Sequence, residues 1–143
     1  MTFIYFDTKH AIDVHDDIII KSGGSLGVLN VGLLESTLDH VQNDMYYPSL
    51  VDKVTHLFFS INKNHSFQDG NKRAAIILSA YFLEINGLDY RVSIFMERLE
   101  NITVYVADNK IDKDLLFEII QSIIYEADYS EELKLKIYNA LNK

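Results

Sequence analysis

Residues 71–87 read NKRAAIILSAYFLEING, and this stretch decides the fold. It opens with polar and cationic residues, is nearly all apolar after its first turn, and ends on a glycine that can stop a helix. A helix that is apolar on every side is normally surrounded by other helices. Ala75 and Ser79 lie one turn apart and would let a neighbour pack closely. We therefore predict a central buried helix from about Asn71 to Asn86.

The rest of the chain predicts further helices around this one. Apolar residues recur at spacings of three and four, and a single proline in 143 residues leaves few breaks. Four of the six glycines lie between positions 23 and 32, so residues 23–30 form the main loop. Segments 3–6 and 88–91 have the composition of short extended pieces. Each of the further helices has Ser, Thr, Asn or Asp at its start or just before it, where such a residue can cap the helix. The expected helices run from Asp7 or Thr8 to Lys21, Asn30 to Val41, Ser49 to Asn64, Ser93 to Ala107, Lys113 to Tyr125 and Ser130 to Leu141.

Charge and composition exclude several classes of function. Lys and Arg number 13 against 21 Asp and Glu, which gives a net charge of −8 and argues against broad binding of nucleic acid or anionic membranes. The chain has no cysteine, so disulfides and thiolate metal sites are excluded. The longest apolar run, residues 74–83, is well short of the roughly 20 residues of a membrane span. No secretory signal follows Met1, and we expect a cytoplasmic protein.

Residues 65–73, which read HSFQDGNKR, carry the chemistry. The glycine lets the backbone turn tightly into a helix whose first amides are unsatisfied and whose dipole favours an anion. Lys72 and Arg73 lie in the first helical turn, where a cation is unfavourable unless an anion is bound. From Lys63 to Arg73 there are three cations and one acid, a net charge of +2. A phosphate is the expected occupant.

Three other residues of this segment complete a phosphate-transfer site. Asp69 can hold a Mg²⁺ that bridges phosphate oxygens, because this ion takes one or two carboxylates together with phosphate and water. His65 can accept a proton from an attacking hydroxyl. Phe67 alternates with these two residues and would point inward. These parts predict the transfer of a phosphate-containing group to a hydroxyl.

The same nine residues resemble the signature of the Fic/Doc family, His-Pro-Phe-x-Asp/Glu-Gly-Asn-Gly/Lys-Arg, with Ser66 where proline is usual. The resemblance to the Doc (death-on-curing) branch extends to Gly23-Gly24, to residues 32–36, and to the helix that ends at Asn86-Gly87. It covers roughly residues 10–125.

The resemblance implies an all-α fold in which residues 1–143 form a single Fido domain of six to seven helices. It implies a nucleotide, ATP or another nucleoside triphosphate, bound with Mg²⁺ and used to modify a protein hydroxyl. Residues 42–47 lie where the family places its target-docking flap, with Tyr46 and Tyr47 as the contact pair. The implied roles are general base for His65, metal ligand for Asp69, loop anchor for Phe67, anion hole for Gly70 and Asn71, and phosphate contacts for Lys72 and Arg73.

One departure from the family pattern separates two reactions. Fic enzymes that transfer AMP generally carry a second arginine three residues after the first, and this chain has Ile76 there. The Doc branch also lacks that arginine and carries a lysine at the position of Lys72, an arrangement that goes with transfer of the γ-phosphate. We therefore favour a protein Ser/Thr kinase over AMP transfer. A third hypothesis, motivated by Ser66 and the missing arginine, is an inactive Fic-fold binding module.

The resemblance also bears on partners. It implies a toxin of a toxin-antitoxin pair whose target is a translation factor such as elongation factor Tu. Many Fic proteins carry their own inhibitory helix, with Ser or Thr, Glu four residues on, and then Gly or Asn. Partial matches at Ser93–Glu97 and Ser122–Glu126 lack the final small residue. A separate antitoxin of the Phd type is therefore the expected partner.

A second group of polar residues lies on the first predicted helix. His10, His15, Asp16 and Asp17 could suggest a metal cluster. They face different sides of the helix, and we interpret them as a polar surface. A place for His15 and Asp16 near the nucleotide is the alternative.

Overall fold

Seven α-helices make up most of the computed structural model, which describes residues 2–28 and 30–143. In chain order they are α1 (Thr8–Ser22), α2 (Val31–His40), α3 (Leu50–Lys63), α4 (Asn71–Ile85), α5 (Val92–Ala107), α6 (Lys113–Tyr125) and α7 (Glu131–Leu141), with a short 3₁₀ helix (Asp89–Arg91) before α5. Within the described ranges there is no strand, although Val28 and Phe67 form an isolated antiparallel bridge. The predicted all-α class is confirmed. Leu29, in the predicted main loop, lies outside the described residues.

Side-chain caps explain why most helices begin where the sequence predicted. Each capping side chain accepts a hydrogen bond from a backbone N–H in the first turn, which satisfies a donor that the helix itself leaves open. At α3 the cap is reciprocal, because Asp52 also accepts from the backbone N–H of Ser49. The capping residues are Asp7 for α1, Asn30 for α2, Ser49 for α3, Asp112 for α6 and Ser130 for α7.

The start of α5 differs from the prediction. Ser93 does not cap it: α5 begins at Val92, directly after the 3₁₀ helix, and Arg91 precedes it without a capping hydrogen bond. Segment 88–91, predicted as extended, is a helical turn because the N–H of Arg91 donates to the carbonyl of Leu88 at 3.0 Å. The Arg91 guanidinium donates to backbone carbonyls at the end of α6, which holds this turn in place.

The other predicted extended piece, residues 3–6, pairs with a side chain instead of a strand. The N–H of Ile4 donates to Oδ1 of Asn86 at 2.8 Å, and Nδ2 of Asn86 donates to the carbonyl of Ile4 at 3.0 Å. The carboxamide at the end of α4 thus satisfies this backbone as a neighbouring strand would. The segment therefore packs against the helices without forming a sheet.

Helices α3 and α4 form the centre of the structure. α3 packs against α2, α4, α5 and α6, and α4 packs against α1, α3 and α5. Phe58 of α3 and Leu78 of α4 are fully buried. α4 leaves Ile76 and Ile77 partly exposed, so α3 is the more completely enclosed of the two. The loop that joins these two helices is consequently held at the end of the central pair, with α1 beside it.

The helices are also short relative to a bilayer. Among the described residues, no helix combines the length and the apolar character that crossing a membrane requires.

The core position of α4 generates a stability prediction. Leu78→Ala removes a side chain that is 0% exposed, and we expect a loss of about 2–5 kcal/mol in the free energy of unfolding because the cavity is enclosed by packed helices. Urea denaturation followed by circular dichroism measures the loss. Leu135→Ala, at a leucine of α7 that is 59% exposed, is the matched control and should change the midpoint little. Equal losses in the two variants would contradict the central position of α4.

Candidate functional site

The site is built on the loop of residues 64–70, the motif loop, which joins α3 to α4. Phe67 is its fully buried residue, and its ring stacks flat on the ring of His15, with centroids 3.9 Å apart and an interplanar angle of 6°. His65 is exposed and has a φ of 50°, in the left-handed region. The loop therefore turns Phe67 into the core and leaves the imidazole of His65 at the surface.

The side chain of Asn71 closes the motif loop. Its Oδ1 accepts from the N–H of Phe67 at 3.1 Å, and its Nδ2 donates to the carbonyl of Phe67 at 3.1 Å. The carboxamide is thus committed to the backbone of the loop. Asn71 can contribute to an anion hole through its main-chain N–H, and its side chain fixes the shape of that hole.

A second segment supports the motif loop from outside. Residues 23–28, the glycine loop, follow α1 and run beside the motif loop. The N–H of Gln68 donates to the carbonyl of Gly27 at 3.0 Å, and the N–H of Asn30 donates to the carbonyl of Ser66 at 3.1 Å. The sequence analysis identified residues 23–30 only as a loop. Their concentration of glycine was the available signal, because Gly23, Gly24 and Gly27 all have a positive φ, a conformation that residues with a side chain rarely adopt.

Two backbone amides hold the carboxylate of Asp69. Oδ1 accepts from the N–H of Gly70 at 2.7 Å, and Oδ2 accepts from the N–H of Ser25 at 3.2 Å. These two bonds, and then the nearby Arg73 guanidinium and His15 ring, hold the pKa of the Asp69 carboxyl below its usual value. The carboxylate is therefore ionised at neutral pH, with about half of its side chain open to solvent.

This carboxylate fits one ligand position of a Mg²⁺ ion. Mg²⁺ is usually bound by one or two carboxylates, with phosphate and water at its other positions. Residues 2–28 and 30–143 contain no group of three or more His, Asp or Glu side chains that could hold a metal ion. A single carboxylate of this kind suits an ion that brings phosphate and water as its other ligands.

The N-terminus of α4 opens into the same place. Gly70 precedes the helix with a φ of 75°, which strains any other residue, and a Cβ there would lie 2.8 Å from Cδ1 of Ile19, whose side chain would have to move. No side chain caps this helix, and its first turn contains no acid. A cavity of about 200 Å³ lies at this end, and the predicted site residues that line it are His65, Asp69, Gly70, Asn71 and Lys72.

Arg73 lies outside this cavity. Its guanidinium donates to Oγ of Ser22 and to the carbonyl of Gly23, at the end of α1, and its Nη2 is 4.0 Å from Oδ1 of Asp69. The side chain lines a different, mostly apolar groove of about 520 Å³, together with Ile76 and Met96. Arg73 as a phosphate contact therefore stays a prediction.

Tyr46 and Tyr47, the predicted docking pair, are not brought to the site. The Tyr47 ring stacks on the ring of His56 with centroids 4.3 Å apart, and Tyr46 is 69% exposed. Both line a cavity near the start of α3 that shares no residue with the cavity at His65, which lies beyond the end of α3. Their role in docking a target stays a prediction.

The polar-surface interpretation of α1 is wrong for His15. This residue is fully buried, with Nε2 2.6 Å from the carbonyl oxygen of Asp69 and Nδ1 3.1 Å from Oδ1 of Asp16. Asp17 does face solvent. The missed signal is spacing: Ala11, His15 and Ile19 recur every four residues and form the buried stripe of α1.

A pair of glycine variants tests the contact between the glycine loop and Asp69. Both Gly23→Ala and Gly24→Ala strain a positive φ, which by itself costs about 1–3 kcal/mol. Only at Gly24 does the new Cβ meet the carboxylate, at 2.6 Å from Oδ2 of Asp69; at Gly23 nothing lies within 4 Å. We expect Gly24→Ala to unfold at lower denaturant than Gly23→Ala. Because the displaced carboxylate loses its bond to Ser25, its pKa, followed by ¹³C NMR, should rise towards the usual value in Gly24→Ala alone. An unchanged pKa would contradict the contact.

The chain is similar to known proteins over the part that contains this site. The profile of the Fic/DOC family matches residues 5–83, which include the motif loop and most of α4. A relative from Mycolicibacterium smegmatis, "Toxin Doc", is 36% identical over 99 residues, which cover 66% of this chain and 76% of that protein. A relative from Escherichia phage P1, "Protein kinase doc", is 26% identical over 128 residues, which cover 87% of this chain and 98% of that protein.

Proposed function

Because the chain belongs to the Fic/Doc family, in its Doc branch, we propose that it is a toxin that transfers the γ-phosphate of ATP to a serine or threonine hydroxyl of a cytoplasmic target protein. One observation carries the proposal. A single small cavity joins an exposed histidine, an ionised carboxylate, a cation and an uncapped helix N-terminus. These are the groups that phosphoryl transfer needs, because its catalysis consists mainly of positioning and charge stabilisation.

In this reaction His65 is the general base. Its imidazole is exposed at the cavity, so a hydroxyl on another protein can approach it. His65 accepts the hydroxyl proton as the hydroxyl oxygen bonds to the γ-phosphorus, the bond from that phosphorus to the β–γ bridging oxygen breaks, and ADP leaves. The N–H groups of the first turn of α4, from Asn71 onward, and the ammonium group of Lys72 bind the phosphate oxygens. The N–H of Gly70 already donates to the Asp69 carboxylate, so a direct part of Gly70 in the anion hole stays a prediction. The carboxamide of Asn71 keeps the loop from opening while the nucleotide is bound.

Asp69 is the proposed ligand for Mg²⁺. The bound ion would supply neutralisation of the charge on the phosphate oxygens. Asp69 suits this role because backbone amides already orient its carboxylate and keep it ionised. Without a cation, its negative charge beside a triphosphate would oppose binding.

Ile76 favours γ-phosphate transfer over AMP transfer. This residue stands where AMP-transferring relatives of the family carry their second arginine, and it lies in the apolar groove with Ile77 and Met96. A hydrocarbon side chain cannot bind a phosphate on that side of the site. AMP transfer remains the alternative, and an inactive binding module is the third hypothesis. His65, Asp69 and Asn71, all present, argue against the third.

We further propose that a separate antitoxin of the Phd type controls the chain. Ser122, in one of the two partial inhibitory matches, is buried in α6, where it cannot belong to a segment that covers the site. Glu97, in the other, lines the groove of Arg73, but no ion pair joins the two within the described residues. The target is proposed to be a translation factor such as elongation factor Tu, on the resemblance alone.

Isotope-labelled ATP separates the three hypotheses. The purified chain is incubated with lysate, Mg²⁺ and ATP labelled at the α or the γ position. We expect label on a protein from the γ position only, and its loss in His65→Ala because the other base that lines the cavity, Asp69, is the proposed ligand of Mg²⁺. Gln121→Ala, at an exposed residue of α6, is the control and should transfer as the parent does. Label from the α position would establish AMP transfer, and absence of transfer from either would leave the binding module.

Bacterial growth provides an independent test of His65 as the general base. Induced expression of the chain should arrest a bacterial culture, and His65→Ala at equal protein level should relieve the arrest. Co-expression of a small neighbouring reading frame that encodes the antitoxin should also restore growth. Persistent arrest by His65→Ala would exclude phosphoryl transfer through His65 as its cause.

A further inference from the structure

The buried ring of His15 makes a contact that the proposed reaction has not used. It is 0% exposed, and its Nε2 lies 2.6 Å from the backbone carbonyl oxygen of Asp69, 54 residues away in sequence. A carbonyl oxygen can only accept a hydrogen bond, so Nε2 is the donor. The contact joins α1 to the residue that immediately precedes Gly70.

The position of the ring is determined by packing on both sides. One face lies flat on Phe67 at 3.9 Å between centroids. Near the Nε2 edge lies the backbone of Gly70, where an added Cβ would stand 3.5 Å away. Oδ1 of Asp16 lies 3.1 Å from the opposite nitrogen, Nδ1. The ring therefore has one orientation, and Nε2 has one direction in which to donate.

The geometry of the peptide bond carries this orientation to the cavity. The described peptide bonds are all trans, and in a trans peptide the carbonyl and the following N–H point in opposite directions. Because His15 draws the carbonyl of Asp69 towards α1, the N–H of Gly70 points away from α1. There it donates to Oδ1 of Asp69 at 2.7 Å, at the edge of the cavity that His65 and Lys72 line.

We propose that His15 is a positioning residue for phosphate binding. By holding the Asp69 carbonyl it turns the Gly70 N–H to the Asp69 carboxylate, and it orients the first turn of α4, whose N–H groups from Asn71 onward are left to bind phosphate oxygens. That the bound anion is a phosphate rests on the proposed function. The direction of the Gly70 N–H does not, because it follows from the contact between His15 and Asp69. Loss of a hydrogen-bond donor should therefore affect the site even when the ring is replaced by one of similar shape.

Variants of the full chain separate the hydrogen bond from the packing. His15→Phe keeps a flat ring on Phe67 and removes the donor. His15→Gln keeps an N–H donor, and His15→Met, of similar length, lacks one. His10→Phe is the matched control on the same helix: the His10 ring stacks on Tyr81 at 4.7 Å and is not bonded to the motif loop.

Four quantities are measured for each variant: the Gly70 resonance in ¹H–¹⁵N spectra without nucleotide, kcat, KM for ATP, and the midpoint of thermal unfolding. We expect the Gly70 resonance to move in His15→Phe and His15→Met, and kcat/KM to fall by about 10-fold. This is less than the roughly 10²–10³ in kcat that deleting a direct donor to a developing anion typically costs, because His15 acts through the peptide between Asp69 and Gly70. His15→Gln should recover part of the loss, and His10→Phe should match the parent.

The outcomes distinguish this proposal from the proposed function. If His15→Gln is no better than His15→Met and the Gly70 resonance stays in place, His15 acts by packing alone and the proposal is wrong. If His15→Phe does not fold, the comparison of His15→Gln with His15→Met decides whether the hydrogen bond matters. If the parent transfers no phosphate, the proposed function fails, while the Gly70 resonance still shows whether His15 directs that amide.

Discussion

The hydrogen bond from His15 to the carbonyl of Asp69 is the contact on which the site depends. It ties the buried face of α1 to the motif loop, which the carboxamide of Asn71 at the start of α4 and the buried ring of Phe67 also hold. The glycine loop follows directly from α1 and closes on the motif loop from outside. The same helix thus supports the loop from inside and supplies the backbone that covers it.

The distribution of charge explains how an acidic chain can offer a site for an anion. The net charge of −8 is spread over the molecule, whereas the start of α4 has no acid in its first turn and no capping side chain. Asp69 is the exception at this end of the helix, and backbone amides keep it ionised. A negative charge at the mouth of a phosphate site is compatible with binding only if a cation accompanies the phosphate, which is the physical reason to pair the proposed nucleotide with Mg²⁺.

The sequence was sufficient to predict the structure where the interacting residues lie close together in the chain. Capping residues such as Asn30 and Ser49 predict helix starts, because their partners lie two or three residues away. The motif residues 65–72 are likewise adjacent, and a turn into a helix brings them together. The missed features depend on partners far apart in the chain. The role of His15 depends on Asp69, and the direction of Arg73 depends on Ser22. No periodicity in one helix shows what lies against it.

The most direct test of the account is the structure of His65→Ala bound to a non-hydrolysable ATP analogue and Mg²⁺. The measured quantity is which phosphorus atom lies nearest to residue 65. The account predicts the γ-phosphorus, with its oxygens on the N–H groups at the start of α4 and the metal on Asp69. An α-phosphorus at that place would contradict γ-phosphate transfer. A nucleotide bound elsewhere, for example in the groove of Ile76 and Met96, would contradict the site itself.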